Sequence, residues 1–354
     1  MNQQSQWRSR LDRIPGAAYI FLIVFAAASI LVPRFFSVGN LSTMLLQACT
    51  LTLLSVAMSL TLMMGSIDLS MGGVVSMCGV IMACIMRAGA SAWLALPVGL
   101  IIGAIFGLFN GVMVTRLKIP AFIATFGSMG IAQSIANTIS QERTVSWEVS
   151  PKTSLIDFLG NHALSVEMGT DASQTLTISN LLIITAVVVA VVWVLFRKTT
   201  LGSNIYALGA NEETARLSGV GVTQWRIIVF VISGVLAALG GIVVMVRSNS
   251  VQPTIGSNLE FQACVAAVLG GNVMEGGKGS VPGAVLGALT LYTIRSAMSL
   301  MGIDTSWVQV VIGGVLVIGM LLNNYAASRE KASSLAALNR ARADRAVGKG
   351  GVAK

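Results

Sequence analysis

Long apolar runs, separated by short polar segments, occupy most of the sequence. A helix that crosses a bilayer needs roughly 20 consecutive, mostly apolar residues. Ten runs of about this size follow one another in the 354 residues. They predict an all-α, polytopic membrane protein of about ten transmembrane helices, at about 17–35, 41–63, 68–86, 93–115, 119–140, 176–196, 227–247, 258–272, 280–299 and 306–322. The run at 258–272 is short and ends in glycine, so it is compatible with a broken or re-entrant helix as well as with a full crossing.

The composition agrees with a membrane protein, and the sequence contains no visible acid–base enzyme site. Hydrophobic residues make up 55% of the chain, charged residues make up 10%, and the mean hydropathy is +0.80. Soluble domains carry about a quarter charged residues. Cys49, Cys78, Cys84 and Cys264 lie inside apolar runs without metal-ligand spacing, and the single histidine, His162, lies in a polar loop without a nucleophile nearby. We therefore predict no catalytic residue, metal site or cofactor in this chain.

Basic residues divide unequally between the two sides of the predicted membrane domain. With ten spans, seventeen Lys and Arg fall on the side of both termini and five on the other, while Arg295 falls within a span. Cytoplasmic segments carry the excess of basic residues. The pattern predicts a cytoplasmic segment at 1–16, a membrane domain at 17–327 and a basic cytoplasmic tail at 328–354. Within the domain, 141–175 is the predicted external loop and 197–226 the predicted cytoplasmic loop.

An internal repeat is suggested at an offset of 184 residues. At this offset GSIDLSMGG (65–73) aligns with NSVQPTIGS, which pairs Asp68 with Gln252 and Gly72 with Gly256. The offset relates spans two to five to spans seven to ten, and five spans per half would make the two repeats inverted. Chance similarity between helices rich in Gly, Ala and Leu is the alternative.

The two aligned stretches interrupt apolar sequence with polar residues. Asp68 has two compatible interpretations: a cap that accepts free backbone N–H groups of the next helix, or a group beside a translocation path. In the second stretch, Pro253 marks a position where a helix could begin. We predict that both stretches border the path, with six polar residues as candidates: Ser66, Asp68, Ser70, Ser250, Gln252 and Thr254.

The loop at 197–226 contains the signals of a short surface helix. Asn211 is a favourable N-cap, Glu212 and Glu213 fall in the first turn, and Gly219 is a natural stop. The segment is either a solvated connector or a helix that a partner binds. By contrast, GGNVMEGGKGS (270–280) does not match the phosphate-loop pattern, because Lys278 is followed by Gly279, and it predicts a tight cytoplasmic turn.

Five segments together carry a family resemblance: GSIDLSMGG (65–73), LKIPAFIATFGSM (117–129), ALGANEETARLSGV (207–220), ISGVLAALGGIV (232–243) and VAAVLGGNVMEGGKGSVPGAVLGAL (265–289). In this order they resemble the membrane permease of ribose/arabinose/xylose-type ATP-binding-cassette (ABC) sugar importers. Glu213, Thr214, Ala215 and Gly219 also resemble the E-A-A-x-x-x-G core of the permease loop that binds the ATPase, with Thr214 in place of the middle alanine.

The resemblance implies a multi-pass protein of the bacterial inner membrane that imports a monosaccharide, either a pentose, a hexose or a related polyol, by alternating access. It implies four kinds of partner and no nucleic acid: a cytoplasmic ABC ATPase that binds ATP and Mg²⁺, an external or periplasmic sugar-binding protein, a second permease copy or paralogue, and the lipid bilayer. The implied ATPase-coupling residues are Asn211, Glu212, Glu213, Ala215, Arg216 and Gly219.

A stand-alone secondary transporter with inverted repeats is the alternative. It would couple transport to H⁺ or Na⁺ through Asp68 and would need no partner. A passive channel is disfavoured, because the sequence contains no ring-forming selectivity pattern.

Overall fold

The computed structural model describes residues 16–148, 150–167, 175–304, 306–315 and 317. The predicted cytoplasmic segment, except for its last residue, and the predicted basic tail lie outside these residues. The helices are α1 (Gly16–Leu31), α2 (Val38–Met63), α3 (Met71–Arg87), α4 (Ala92–Thr115), α5 (Ala121–Ser140), α6 (Ser154–Gly160), α7 (Asn180–Lys198), α8 (Thr200–Ala210), α9 (Glu212–Leu217), α10 (Val222–Ser248), α11 (Leu259–Leu269), α12 (Val281–Leu300) and α13 (Ser306–Val315).

Helix starts follow from capping residues in the sequence. In six of these helices, the side chain of a Ser, Thr or Asn accepts a backbone N–H from the first turn. These N-caps are Ser37, Ser91, Ser179, Thr199, Asn211 and Ser280, which precede α2, α4, α7, α8, α9 and α12.

Length and composition make five of the described helices suitable for crossing a membrane, namely α2, α4, α7, α10 and α12. The apolar helices α1, α3, α11 and α13 are shorter, and α5 has 20 residues. Each of these ten helices coincides with one predicted apolar run. Helix α11 has 11 residues and spans about 16 Å at 1.5 Å per residue, roughly half of a hydrocarbon core. This length favours the broken or re-entrant alternative for 258–272 over a full crossing.

The all-α prediction is wrong in detail, because four short strands accompany the helices. Strands β1 (Val145–Ser146) and β4 (Ser250–Val251) pair antiparallel, and so do β2 (His162–Glu167) and β3 (Thr175–Ser179). The stretches HALSVE and TLTIS contain alternating apolar residues, a pattern that favours strands. Strand β3 also displaces the start of the predicted span at 176–196, so that α7 begins at Asn180.

Helices α2 and α10 form the centre of the molecule. Helix α10 packs against α2, α3 and α4, while α2 also contacts α11 and α12. Glycines allow the backbones to approach closely: a Cβ atom on Gly103 or Gly234 would overlap the backbone of the other, and Gly72 and Gly256 are related in the same way. Small residues at helix crossings are how membrane helices obtain van der Waals contact without a hydrophobic driving force.

We expect Gly256→Ala to lower the stability of the protein, because the new methyl group would collide with the Gly72 carbonyl oxygen. Overpacking of this kind costs about 1–3 kcal/mol. Gly313→Ala is the matched control, since no atom lies within 4 Å of a Cβ placed there. Thermal unfolding in detergent checks the prediction: equal melting temperatures for the two variants would contradict it.

Candidate functional site

The first candidate site is the break between α2 and α3. Helix α2 ends at Met63 and α3 begins at Met71, and Asp68 between them is only 1% exposed. One oxygen of its carboxylate accepts the backbone N–H of Ser70 at 3.0 Å and the Ser70 hydroxyl at 2.6 Å. The other oxygen accepts the hydroxyl of Ser233 on α10 at 2.5 Å. Asp68 thus joins the break to a distant helix.

Two further helices hold the same break. Asn110 on α4 donates from its side-chain amide to the Ser70 hydroxyl oxygen at 2.8 Å. On α5, the Thr125 hydroxyl oxygen accepts the backbone N–H of Leu69 at 3.1 Å. The side chains of Asn110 and Thr125 are buried, as are those of Ser66 and Ser70. The break is therefore a sealed polar junction between α3, α4, α5 and α10, in which buried polar groups are largely satisfied by one another.

The prediction that Asp68 caps α3 is met in part. One oxygen of Asp68 accepts the backbone N–H of Ser70, the residue immediately before α3, whose own side chain makes no capping hydrogen bond. The other oxygen is directed to α10, which the sequence did not predict. Contact with Ser233, 165 residues away, carries no local sequence signal.

The second candidate site is the break after α10. Ser250 pairs with Ser146 in the short β1–β4 sheet, and Gln252 and Thr254 are exposed. Pro253 does not begin a helix as expected: its carbonyl accepts the side-chain amide of Gln133 on α5 at 2.7 Å, and α11 begins only at Leu259. A cavity of about 450 Å³ lies at this break, lined by Asn137, Glu142, Thr144, Gln252, Pro253 and Thr254.

The six predicted path residues therefore lie in two different environments. Ser66, Asp68 and Ser70 are inside the subunit, whereas Ser250 is half-buried and Gln252 and Thr254 reach a cavity. Sequence reasoning missed three amide side chains in apolar helices, Asn110 in α4 and Gln133 and Asn137 in α5. Their polarity at membrane depth was the available signal.

The third candidate site is the segment formed by α8, α9 and the start of α10. Asn211 is the N-cap of α9, since its side-chain oxygen accepts the Thr214 N–H at 2.9 Å, and Gly219 follows the helix with φ of 84°. Both features match the sequence prediction. Glu212 pairs with Arg216 in the same helix and with Arg226 on α10, each at 2.9 Å. The second pair fixes α9 to the base of α10.

One face of α9 is buried and the other is exposed in the part of the chain that the structure describes. Ala215 packs with Leu208 and Val222, so α8, α9 and α10 share a small apolar cluster. On the opposite face Glu213 and Arg216 are exposed, and Leu217 is 84% exposed. Sequence reasoning did not select Leu217, although a leucine in a short polar helix next to its stop signal could have indicated it.

Within the ranges that the structure describes, no three His, Cys, Asp or Glu side chains come together as potential metal ligands. The four cysteines there are free thiols and are buried or half-buried. What the sites offer is hydrogen bonding at two helix breaks and a short helix, α9, with one exposed face.

We expect Ser233→Ala to destabilise the protein by about 1–3 kcal/mol, because it leaves one oxygen of a buried carboxylate without its donor. In an Asp68→Asn background, where that charge is absent, the same substitution should cost less. Ser128→Ala is the control, since the Ser128 hydroxyl bonds only within α5, to Thr125. The measurement is a double-mutant cycle from chemical unfolding in detergent; additive effects would argue against the Asp68–Ser233 interaction.

Comparison with known proteins identifies the family of this chain. The sequence profile described as "Branched-chain amino acid transport system / permease component" matches residues 40–320. The ribose import permease of Haemophilus influenzae is 33% identical over 330 residues, which cover 93% of this chain and 99% of that protein. The ribose import permease of Escherichia coli K12 is 32% identical over 303 residues, 86% of this chain and 91% of that protein.

A fructose import permease of Bifidobacterium longum is 31% identical over 317 residues, which cover 88% of this chain and 92% of that protein. The agreement extends along nearly the full length of each relative and is not confined to one motif. The chain therefore belongs to this family of ABC transport permeases, as a membrane transport subunit.

Proposed function

We propose that this chain is the permease subunit of an ABC importer for a monosaccharide, in the bacterial inner membrane. The observation that carries the proposal is the full-length similarity to sugar import permeases, which extends from ribose to fructose permeases and to an L-arabinose permease of Azospirillum brasilense. The profile description names an amino acid system, but the individual relatives are named for sugars. ATP hydrolysis belongs to a separate partner ATPase in this proposal.

The proposed topology has ten spans, two inverted repeats and cytoplasmic termini. Helix bounds support the repeat: Val222, where α10 begins, follows Val38, where α2 begins, by 184 residues. Helix contacts support it too, because they occur in equivalent pairs: α3–α10 with α11–α2, α4–α10 with α12–α2, and α3–α4 with α11–α12. Gly72 and Gly256 are equivalent and pack on each other, as residues near a two-fold axis must.

Contacts between the connecting segments agree with the proposed sidedness. In a ten-span topology with cytoplasmic termini, three segments lie on the cytoplasmic side: the end of the second span, the loop at 197–226 and the turn at 270–280. The backbones of these segments are in contact at Met63, Gly209 and Gly277. Strands β1 and β4 come from two segments that were assigned to the external side, and they pair with each other.

In the proposed path, the external mouth lies at the cavity beside the second break. The residues lining it include one carboxylate, Glu142, and no Lys or Arg. The side-chain oxygen of Asn137 accepts the amide N–H of Gln133 at 3.1 Å, so the amide hydrogens of Asn137 can be donated to other acceptors. Donors and acceptors without a basic group suit a neutral polyhydroxyl solute better than a phosphorylated or carboxylated one. Ser66, Asp68 and Ser70 lie beside the path as its buried junction.

The proposed second permease copy packs against α5. Gly127 and Gly130 on this helix have no neighbouring atom within 4 Å of a Cβ position, and with Ile131, Ser134 and Thr138 they form a shallow groove. A face of small residues on a membrane helix favours close association with another helix. Gln133 and Asn137 lie on the adjoining side of α5, so the sugar path would open next to the dimer contact.

The proposed ATPase contact is the exposed face of α9. Leu217 would insert into the partner, with Glu213 and Arg216 beside it, while Asn211, Glu212, Ala215 and Gly219 shape the helix and hold it to α8 and α10. Closure of the ATPases on ATP would move this unit and drive alternating access. The external sugar-binding protein would deliver the substrate from the opposite side.

The secondary-transporter alternative receives no support from Asp68. Its two carboxylate oxygens accept three hydrogen bonds, and its side chain is sealed from solvent. A coupling-ion site needs an entry path and free ligand atoms.

The decisive experiment is uptake of radiolabelled ribose, fructose or arabinose into proteoliposomes. ATP-dependent uptake that requires the ATPase and the binding protein is expected; uptake by the permease alone, driven by an ion gradient, would overturn the proposal.

We expect Leu217→Lys and Glu213→Lys each to weaken binding of the ATPase, because they place a charge at an apolar anchor or reverse a flanking charge. A lysine side chain buried without a partner in place of Leu217 should cost about 1–3 kcal/mol, roughly 5- to 150-fold in affinity. Ser203→Lys, at an exposed position of α8, is the control. Co-purification and affinity measurements in detergent test this; unchanged binding by both α9 variants would refute the docking assignment.

We expect cysteines at Gln252 and Thr254 to react with a membrane-impermeant maleimide from outside the cell, since both side chains are exposed at the cavity. Cysteines at Ser66 and Ser70 should stay unreactive in the resting state, because these positions are buried. The four native cysteines are first replaced. Labelling of 252 and 254 from the cytoplasmic side only would overturn the proposed sidedness.

A further inference from the structure

The glycine-rich segment 270–280, GGNVMEGGKGS, joins α11 to α12 and is called here the glycine loop. It does not stand free of the protein. The N–H of Gly277 donates to the carbonyl of Met63 at 2.8 Å, and Met63 is the last residue of α2. The last carbonyls of a helix have no partner within the helix. The glycine loop therefore completes the end of α2 immediately before the break that contains Asp68.

Helix α8 holds the glycine loop from the other side. A Cβ atom on Gly209 would overlap both the Met63 carbonyl oxygen and the Gly277 nitrogen, so α8 touches α2 and the glycine loop at one point. The hydroxyl of Tyr206, one helical turn earlier, donates to the Gly279 carbonyl at 2.6 Å. The Tyr206 phenol is protonated at neutral pH and can donate, and burial raises its pKa further.

The glycine loop has a fixed shape. Asn272 is fully buried: its side-chain oxygen accepts the Ser59 hydroxyl at 2.8 Å and the Ser280 N–H at 3.1 Å, and its amide donates to Ala267 at 2.7 Å. Gly276 and Gly277 have φ of 88° and 73°, values that a residue with a side chain rarely adopts. A rigid segment can pass on a displacement that a mobile one would absorb.

We propose that the glycine loop is a positioning element for transport, which transmits displacement of the ATPase-coupling segment to the helix break at residues 64–70. This inference rests on the proposed ABC importer function. Helix α9 is joined to α8 through Ala215 and Leu208, and α8 contacts the glycine loop and α2 through Gly209 and Tyr206. Beyond Met63 the chain leads directly to Asp68, whose bond to Ser233 reaches α10. A continuous set of contacts thus connects the docking helix with the polar junction.

The test compares the amount of sugar transported per ATP hydrolysed in the reconstituted complete transporter. Tyr206→Phe removes one hydroxyl and keeps the ring that packs edge-on against Phe196 at 5.2 Å. We expect this ratio to fall roughly fivefold, the factor that corresponds to one hydrogen bond. Gly209→Ala separates α8 from both of its contacts and should lower the ratio further. A merely structural defect would reduce transport and hydrolysis together and leave their ratio unchanged.

Ser203→Ala is the matched control, because the Ser203 hydroxyl bonds only to Thr200 within α8. Binding of the ATPase is measured for every variant. Normal binding with a lowered ratio is the expected result for Tyr206→Phe, whether or not Gly209→Ala folds. An unchanged ratio in Tyr206→Phe would overturn the positioning role. If the unaltered chain itself bound no ATPase, the proposed function would fail instead, so the two failures are distinguishable.

Discussion

Close backbone contact around α10 is the constraint on which the rest of the structure depends. In a bilayer, burial of apolar surface gives helices little reason to associate, because lipid chains are equally apolar. Glycines at positions 103 and 234 bring α4 onto α10, and glycines 72 and 256 bring the two helix breaks together. Interhelical hydrogen bonds then become possible, since the short side chains of Asp68 and Ser233 meet only when α3 and α10 are this near. The buried polar contacts thus depend on the close packing of the helices.

Much of the fold could be predicted from the sequence. Within a bilayer, backbone N–H and C=O groups must be hydrogen-bonded inside each helix, so membrane helices are visible in the sequence as long apolar runs. Each of the ten runs contains a helix in the described chain, and the short helix at 258–272 was foreseen as an alternative. Asn211 and Gly219 were also identified, because capping depends on local residue types. The strands were missed: their pairing involves partners such as Val145 and Val251, which are far apart in sequence.

The candidate sites were predicted less completely, for the same physical reason. A polar residue within an apolar run signals that a partner must exist, but it does not identify the partner. Asp68 stood out by charge, yet the roles of Ser233 and Asn110 follow from tertiary contact alone. Leu217 shows the converse case: leucine is unremarkable in a membrane sequence, and only its 84% exposure on a short helix makes it a candidate for docking. Burial and exposure are the information that periodicity cannot supply.

The two helix breaks differ in a way that fits a division of roles within the proposed inverted repeat. At the first break, both side-chain oxygens of Asp68 accept hydrogen bonds, one from Ser70 and the other from Ser233. These bonds hold the site in one arrangement. At the second, the equivalent residue is Gln252, a neutral side chain that is exposed at a cavity. A buried carboxyl group is tolerated only where its hydrogen bonds are satisfied, which suits the break that lies next to the glycine loop and that we propose receives the displacement. A neutral amide can exchange partners at little cost, which suits the break that lies at the external mouth of the proposed path. Equivalent positions in the two halves can thus serve coupling on one side and passage on the other.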